Sequence, residues 1–214
     1  MKKTNWKKVV YYGLIVLFAG IFVVSALYLG SYMVNSGKES NRYDDLASLV
    51  EQLKQQNSTR PTRDDGSYIF GDNESLPFDP DSPILPEYQV LYELNNDLVG
   101  WISIDGTAID YPVMQKKDQK DYYLERNFDH QYSKWGCIYV REQCDVFQPS
   151  DNVVIYGHYK SDGTMFHDLH GDYRKDFWQE HPFINFDTIY ERHTYQIVAV
   201  FKTPAILGAG YPCH

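Results

Sequence analysis

A run of uncharged residues near the N-terminus most constrains this chain. Residues 9–34 form 26 consecutive positions without a charge, and about 20 apolar residues suffice to cross a bilayer as a helix. Four lysines within the first eight residues precede the run, and positively charged flanks remain in the cytoplasm. The pattern predicts a single-pass anchor in the cell membrane, with a cytoplasmic N-terminus and the rest of the chain outside.

A cleaved signal peptide is the competing interpretation of this segment. Val24, Ser25 and Ala26 resemble a cleavage site. The apolar core of a signal peptide is usually about 7–15 residues, which is shorter than this run, so a retained anchor is favoured. A buried helix of a soluble protein is disfavoured by the lysine cluster.

Charge and composition narrow the function of the remainder. The formal charge of the 214 residues is −9, but the part after the lysine cluster carries 16 basic and 29 acidic residues, a balance of −13. An acidic body without a basic block argues against nucleic-acid binding, which needs positive charges for phosphates. Aromatic residues make up 16% of the chain and include 19 tyrosines, which favours a strand-rich domain.

Three regions follow from these patterns. Residues 1–37 hold the cytoplasmic lysines and the anchor, residues 38–83 a stalk and linker, and residues 84–214 a folded domain. Within the stalk, residues 40–56 predict a short amphipathic helix, because Leu46, Leu49, Val50 and Leu53 recur at helical spacing. Residues 57–83 are rich in Asp, Ser, Pro, Gly and Asn and predict a flexible linker.

The folded domain is predicted to be mostly β with short helices, as a barrel or a sandwich. Helical patterns cover 86–96, 121–124 and 163–169, and extended patterns cover 99–104, 108–114, 136–140, 152–156, 183–189 and 195–200. The apolar, β-branched segment NVVIY at 152–156 predicts a central strand. Residues 191–193 predict the turn of a hairpin between the last two strands.

Four segments in series carry a family resemblance. They are NNDLVGWISIDGTAIDYPVMQ (95–115), DYYLERNF (121–128), NVVIYGHYKSDGTMFHDL (152–169) and HPFINFDTIYERHTYQIVAVFKT (181–203). Together with the anchor, they resemble the class B sortases, which are membrane-anchored cysteine transpeptidases of Gram-positive bacteria. The resemblance implies a sortase-type β-barrel and no cofactor.

The resemblance also implies a reaction and one catalytic residue. A sortase cuts the sorting-signal peptide of a surface protein with a cysteine thiolate, and an amine of a cell-wall precursor or of a pilin resolves the thioacyl-enzyme. His158 matches the catalytic histidine of the family, which can protonate a leaving amine. Spacing alone leaves open a strand-end histidine that merely packs.

The sequence departs from the family at the nucleophile. The family cysteine ends a Thr-Leu-x-Thr-Cys strand, and an arginine that stabilises the oxyanion follows on the last strand. Here Cys213 follows Gly-Tyr-Pro, and no arginine occurs after Arg192. We therefore expect a barrel that lacks its C-terminal strands and a chain that is inactive as written. The alternative function is a catalytically dead, membrane-tethered module that binds peptides or another partner.

The remaining cysteines and histidines leave further alternatives. Cys137 and Cys144 are spaced to bridge a hairpin, but a buried residue and an idle loop thiol are favoured. His158, His167, His170 and His181 lie within 24 residues, yet their spacing fits no compact zinc motif, so we predict no metal site.

Overall fold

The computed structural model describes residues 6–58, 84–148, 150–171 and 175–201. These residues fall into two compact units, of which the first ends at Asn41 and the second begins at Arg42. The predicted linker after residue 58 lies outside the described residues, as does Cys213. The candidate functional residues lie in the second unit.

Helix α1 runs without interruption over Trp6–Ser58. In the part of α1 that belongs to the first unit, apolar side chains are exposed. Val16 and Phe22, for example, retain 71% and 74% of their accessible surface. The helix is apolar and long enough to cross a membrane, with a mean hydropathy of 2.4 over its most apolar window, although a signal sequence meets the same criterion. The stalk helix predicted over residues 40–56 is part of α1.

The part of α1 that begins at Arg42 packs as an element of the second unit. Tyr43, Leu46 and Val50 are buried, and they share one helix face. The guanidinium of Arg42 donates two hydrogen bonds to the carboxylate of Asp129, at 2.6 and 2.9 Å. This segment therefore belongs to the core of the second unit.

One six-stranded sheet organises the second unit, in the order β4-β3-β2-β1-β5-β6. The β2–β3 pair is parallel, and the other neighbouring pairs are antiparallel. The strands are β1 (Leu98–Ser103), β2 (Asp110–Met114), β3 (Ile138–Val140), β4 (Ile155–Tyr156), β5 (Phe183–Thr188) and β6 (Thr194–Gln196).

Helix α2 (Pro86–Leu94) covers the sheet beside β1 and β5. Proline at the first position suits a helix start, because the amide that it lacks would have no partner there. Leu91 and Tyr88 on its inner face are fully buried. The Tyr88 ring stacks on Trp101 at 6.3 Å between centroids, and its hydroxyl donates to Asp187 at 2.7 Å.

Three short helical segments join the strands. A 3₁₀ turn covers Tyr122–Glu125 in the connection between β2 and β3. Helices α3 (His167–Gly171) and α4 (Lys175–Glu180) follow β4. The connection from β4 into α3 contains the candidate catalytic histidine.

The structure confirms the mostly β prediction and corrects the bounds of three elements. Helix α2, the 3₁₀ turn and β5 lie where the patterns placed them. The strand predicted over residues 195–200 ends at Gln196, and the helix predicted over residues 163–169 begins only at His167. The strand predicted over residues 152–156 is shorter, because only Ile155 and Tyr156 form a strand, and among the described residues β4 lies at an edge of the sheet. Both of its side chains are half-buried.

Candidate active site around His158

His158 follows β4 and the single residue Gly157. A side chain at position 157 would not fit, since an added Cβ would lie 2.4 Å from Ile138 Cδ1 and 2.5 Å from the ring of Phe166. The carbonyl of His158 accepts a hydrogen bond from the Phe166 amide at 2.9 Å. Close approach of the backbone at Gly157 therefore fixes where the histidine leaves the sheet.

The half-buried imidazole of His158 is held by the 3₁₀ turn. Its Nε2 lies 2.8 Å from the carbonyl oxygen of Leu124. A carbonyl only accepts hydrogen bonds, so Nε2 carries the proton and donates it to Leu124. Nδ1 makes no hydrogen bond with any of the described residues, so in the neutral ring it carries a lone pair that can accept a proton.

The segment after His158 is a loop closed by a backbone bridge and by a hydrogen bond to one side chain. Tyr159 and Met165 form an antiparallel bridge across it. Met165 has a positive φ of 57°, and its amide donates to the hydroxyl of Tyr111 at 3.0 Å. Burial raises the pKa of Tyr111 to about 12, so this hydroxyl stays neutral at physiological pH.

Asp162 anchors the same loop to the segment of the chain that contains Trp135. Its carboxylate accepts hydrogen bonds from the hydroxyl of Thr164 and from the indole of Trp135, both at 2.7 Å. Lys160 donates to the carbonyl of Lys134 and lies 5.7 Å from the centre of the Trp135 ring. Burial lowers the pKa of Lys160, because the ammonium loses hydration there.

Among the described residues, no hydrogen bond joins His158 to Cys137 or Cys144. Cys137 is buried and not disulfide-bonded, and its sulfur lies 3.3 Å from the hydroxyl of Tyr43. The Cys137–Cys144 bridge that spacing allowed is therefore absent. Cys144 is buried and disulfide-bonded, so the idle loop thiol predicted at this position is wrong. Its partner is not among the described residues.

The three clustered histidines whose side chains the structure describes do not converge. Nδ1 of His167 lies 2.6 Å from the carbonyl of Lys160, and Nδ1 of His181 lies 2.7 Å from that of Asp105. Side-chain contacts of His170 lie outside the described part of the chain. The described residues contain no group of three or more His, Cys, Asp or Glu that could hold a metal ion.

Sequence comparison relates the chain to two curated proteins. It is 32% identical over 120 residues to sortase B of Staphylococcus aureus and 38% identical over 117 residues to sortase B of Listeria monocytogenes. The alignments cover 56% and 55% of this chain. This chain is related to the class B sortases. It spans about half the length of these relatives, at 49% and 47%, and no protein-family model matches it.

Solved structures of class B sortases share the fold. A crystal structure of Staphylococcus aureus sortase B matches with a TM-score of 0.59 and 26% identity, over 74% of this chain and 65% of that one. Bacillus anthracis sortase B matches with a TM-score of 0.61 and 25% identity, over 77% of this chain and 67% of the other. The mostly β, sortase-type fold expected from the sequence is therefore confirmed.

Sequence reasoning reached His158 but missed what holds it. The family resemblance singled out the histidine after β4, whereas its spacing alone left open a residue that merely packs. The Leu124 carbonyl left no signal, because every residue type carries a backbone carbonyl and only the fold decides which one meets the ring. Trp135 and Asp162 are 27 positions apart, and no local pattern links them.

Proposed function

We propose that the chain provides the histidine-bearing part of a class B sortase-type cysteine transpeptidase. The substrate is the sorting-signal peptide of a surface protein, and the acceptor is an amine of a cell-wall precursor or of a pilin. The observation that carries the proposal is the position of His158, at the end of a strand in a sortase-type sheet, with Nδ1 available. The relationship to class B sortases supplies the reaction class.

In the proposed reaction, a cysteine thiolate attacks the carbonyl carbon of the sorting-signal threonine. A C–S bond forms, the C–N bond breaks, and the leaving amine takes a proton from the His158 imidazolium. The acceptor amine then attacks the thioester, gives a proton back to His158 and expels the thiolate. Proton transfer by a positioned side chain contributes about 10²–10⁴ in rate, so His158 has a large share of the catalysis.

We further propose that a polypeptide of these 214 residues does not turn over sorting-signal peptides. Cys137 is buried against Tyr43 and Cys144 is disulfide-bonded, so neither supplies an accessible thiolate. The proline before Cys213 suits a central strand poorly. In a hydrolase whose catalytic residues act together, removal of the nucleophile alone can lower kcat by a factor of about 10⁶.

The proposal includes a place in the cell. The apolar part of α1 anchors the chain in the cell membrane, with the lysines in the cytoplasm and the sortase-like unit outside. Protease digestion of intact cells should remove the second unit and leave the anchor. Protection of the second unit in intact cells would contradict this topology.

A chimera tests the role of His158. The chain is extended after residue 201 with the strands that follow the matching position in Staphylococcus aureus sortase B, and cleavage of a fluorescence-quenched sorting-signal peptide is measured. His158→Ala should lower turnover by about 10³-fold. His181→Ala is the matched control, because His181 is also hydrogen-bonded to a carbonyl but lies beside Asp105.

Three results would contradict the proposal. Equal turnover in the two histidine variants would remove His158 from catalysis. A folded chimera that binds the peptide without cleaving it would favour the catalytically dead binding module. Turnover by the 214-residue polypeptide that disappears in Cys213→Ala but persists in Cys144→Ala would show that this chain carries its own nucleophile, because Cys144→Ala controls for the loss of the disulfide at Cys144.

A further inference from the structure

We propose that the 3₁₀ turn Tyr122–Glu125 is a positioning element for His158, and that Gly136 holds its Leu124 carbonyl where it fixes the protonated nitrogen of the ring. The inference rests on the proposed function, in which His158 exchanges a proton. It assigns that exchange to Nδ1, because Nε2 is engaged with the turn.

The tautomer follows from the chemistry of the acceptor. A backbone carbonyl has lone pairs and no proton, so a neutral His158 at this site donates from Nε2 and carries its lone pair on Nδ1. In the protonated ring, the Nε2–H still faces Leu124, and the Nδ1–H is the proton that can leave. The Leu124 carbonyl therefore selects one nitrogen for catalysis in both charge states.

The turn can do this because it is held from both sides. The Tyr123 side chain is fully buried. Its hydroxyl accepts a hydrogen bond from the side-chain amide of Asn95 at 3.0 Å and donates one to the carboxylate of Asp97 at 2.9 Å. On the other side, the Tyr123 carbonyl accepts from the Cys137 amide at 2.9 Å. The residue that presents its carbonyl to His158 thus follows an anchored tyrosine.

The N-terminal end of the turn is fixed as well. Asp121 precedes the turn with a positive φ of 51°, and the hydroxyl of Tyr139 donates to its carboxylate at 3.0 Å. The Leu124 amide donates to the Asp121 carbonyl at 3.0 Å. A strained residue held by a strand side chain gives the turn a defined start.

Gly136 sets the position of the Leu124 carbonyl. It has a φ of +61°, and an added Cβ would lie 2.4 Å from the Leu124 oxygen and 2.7 Å from the Tyr123 oxygen. Only a residue without a side chain allows this approach. The carbonyl of Gly136 accepts from the Tyr43 hydroxyl at 2.8 Å, so the buried part of α1 supports the arrangement.

Two other histidines provide an internal reference. His167 and His181 each place Nδ1, and not Nε2, against a backbone carbonyl, so the same argument predicts the opposite tautomer for them. A single spectrum of the protein with neutral histidine rings should therefore contain both imidazole tautomers. The ring proton of His158 should be on Nε2, and those of His167 and His181 on Nδ1.

The test is nitrogen NMR of the full 214-residue chain in detergent micelles, with ¹⁵N-labelled histidine, at mildly alkaline pH. The His158 signal is assigned by its absence from His158→Gln. We expect a slowly exchanging Nε2–H signal for His158 in the wild type and its loss in Gly136→Ala. Gly106→Ala is the matched control, since Gly106 also has a positive φ, of +77°, and its added Cβ would meet His181, 2.6 Å away. That variant should change His181 and leave His158 intact.

Two outcomes would overturn the inference. One is a wild-type His158 that carries its proton on Nδ1, a result that decides the matter even if Gly136→Ala does not fold. The other is a folded Gly136→Ala protein with an unchanged His158 signal. Because the spectrum needs neither substrate nor nucleophile, failure here would leave the proposed transpeptidase function standing. A chimera with equally active histidine variants would remove the function without changing the tautomer.

Discussion

The sheet has two sides along its strand order, the part around β1 and β5 that α2 covers and the part around β3 and β4 that precedes His158, and residues are held differently in each. On one side, β1 is paired with β2 and β5, and α2 covers it with the fully buried Leu91. On the other side, β4 has two half-buried residues and pairs with β3. His158 therefore owes its position to a glycine, a turn carbonyl and a loop more than to strand pairing. Apolar burial should determine stability on the first side, and directed polar contacts should determine geometry on the second.

Truncation of one buried aliphatic residue on each side tests this comparison most strongly. Leu91→Ala should lower the free energy of unfolding by about 3 kcal/mol, because it leaves a cavity between α2 and the sheet. Ile155→Ala should cost about 1 kcal/mol, because Ile155 is only half-buried. Urea unfolding of the full chain in micelles measures both. Equal losses would show that the β4 side is packed as firmly as the α2 side.

A buried hydrogen bond on the α2 side should have the next largest effect. Tyr88→Phe removes the donor to the Asp187 carboxylate and should cost about 2 kcal/mol at neutral pH. Tyr132→Phe is the control, because Tyr132 is 68% exposed, and its change should stay within about 0.5 kcal/mol. A Tyr88→Phe protein as stable as the control would assign the stability of this side to apolar contacts alone.

The same variant has a second signature at alkaline pH. Burial and the neighbouring Asp187 raise the pKa of Tyr88 well above its usual range. Above about pH 10 an unfolded tyrosine loses its proton while folded Tyr88 keeps it, so stability falls as the pH rises. Without that proton, Tyr88→Phe should lose stability less steeply, by about 1.4 kcal/mol per pH unit. Parallel profiles for the wild type and the variant would mean that Tyr88 titrates normally.

The ion pair between Arg42 and Asp129 should contribute least. Both side chains are about a third exposed, at 35% and 38%, so solvent screens the pair, and we expect a coupling of about 0.5 kcal/mol. A double-mutant cycle with Arg42→Ala and Asp129→Ala measures the coupling, which added salt should reduce. A coupling that is large and independent of salt would make this pair a structural anchor of α1.

The sequence predicts the first side of the sheet better than the second. Extended runs between turn residues, a helix-starting proline and the turn at residues 191–193 indicate α2, β1, β2 and the β5–β6 hairpin. The segment at 152–156 has the composition of a central strand, but composition does not say which neighbours a strand will have. Whether a β-branched run pairs on one edge or on two depends on elements far away in the sequence.

The candidate site shows the same limit at single residues. The position of His158 follows from its place after an apolar run and from the sortase resemblance. The turn that holds the ring depends on Gly136. A glycine in the sequence indicates a tight backbone conformation, but it does not indicate which carbonyl will lie against it. Helical spacing in the stalk predicted that Leu46 and Val50 share a face, and only the fold shows that this face is buried.

The strand order also has a consequence for how the chain is made. β1 lies beside β2, which follows after a short turn, and beside β5, whose first residue, Phe183, comes 80 positions after Ser103. At roughly 5–20 residues per second, the ribosome completes β1 about 4–16 s before β5 begins. One edge of β1 stays unpaired during that interval, with the apolar side chains of Trp101 and Ile102 on the strand, and unpaired edges attract other chains. We expect newly made chains to need a holding chaperone during this interval, because the first strand of the sheet is completed long before its second neighbour.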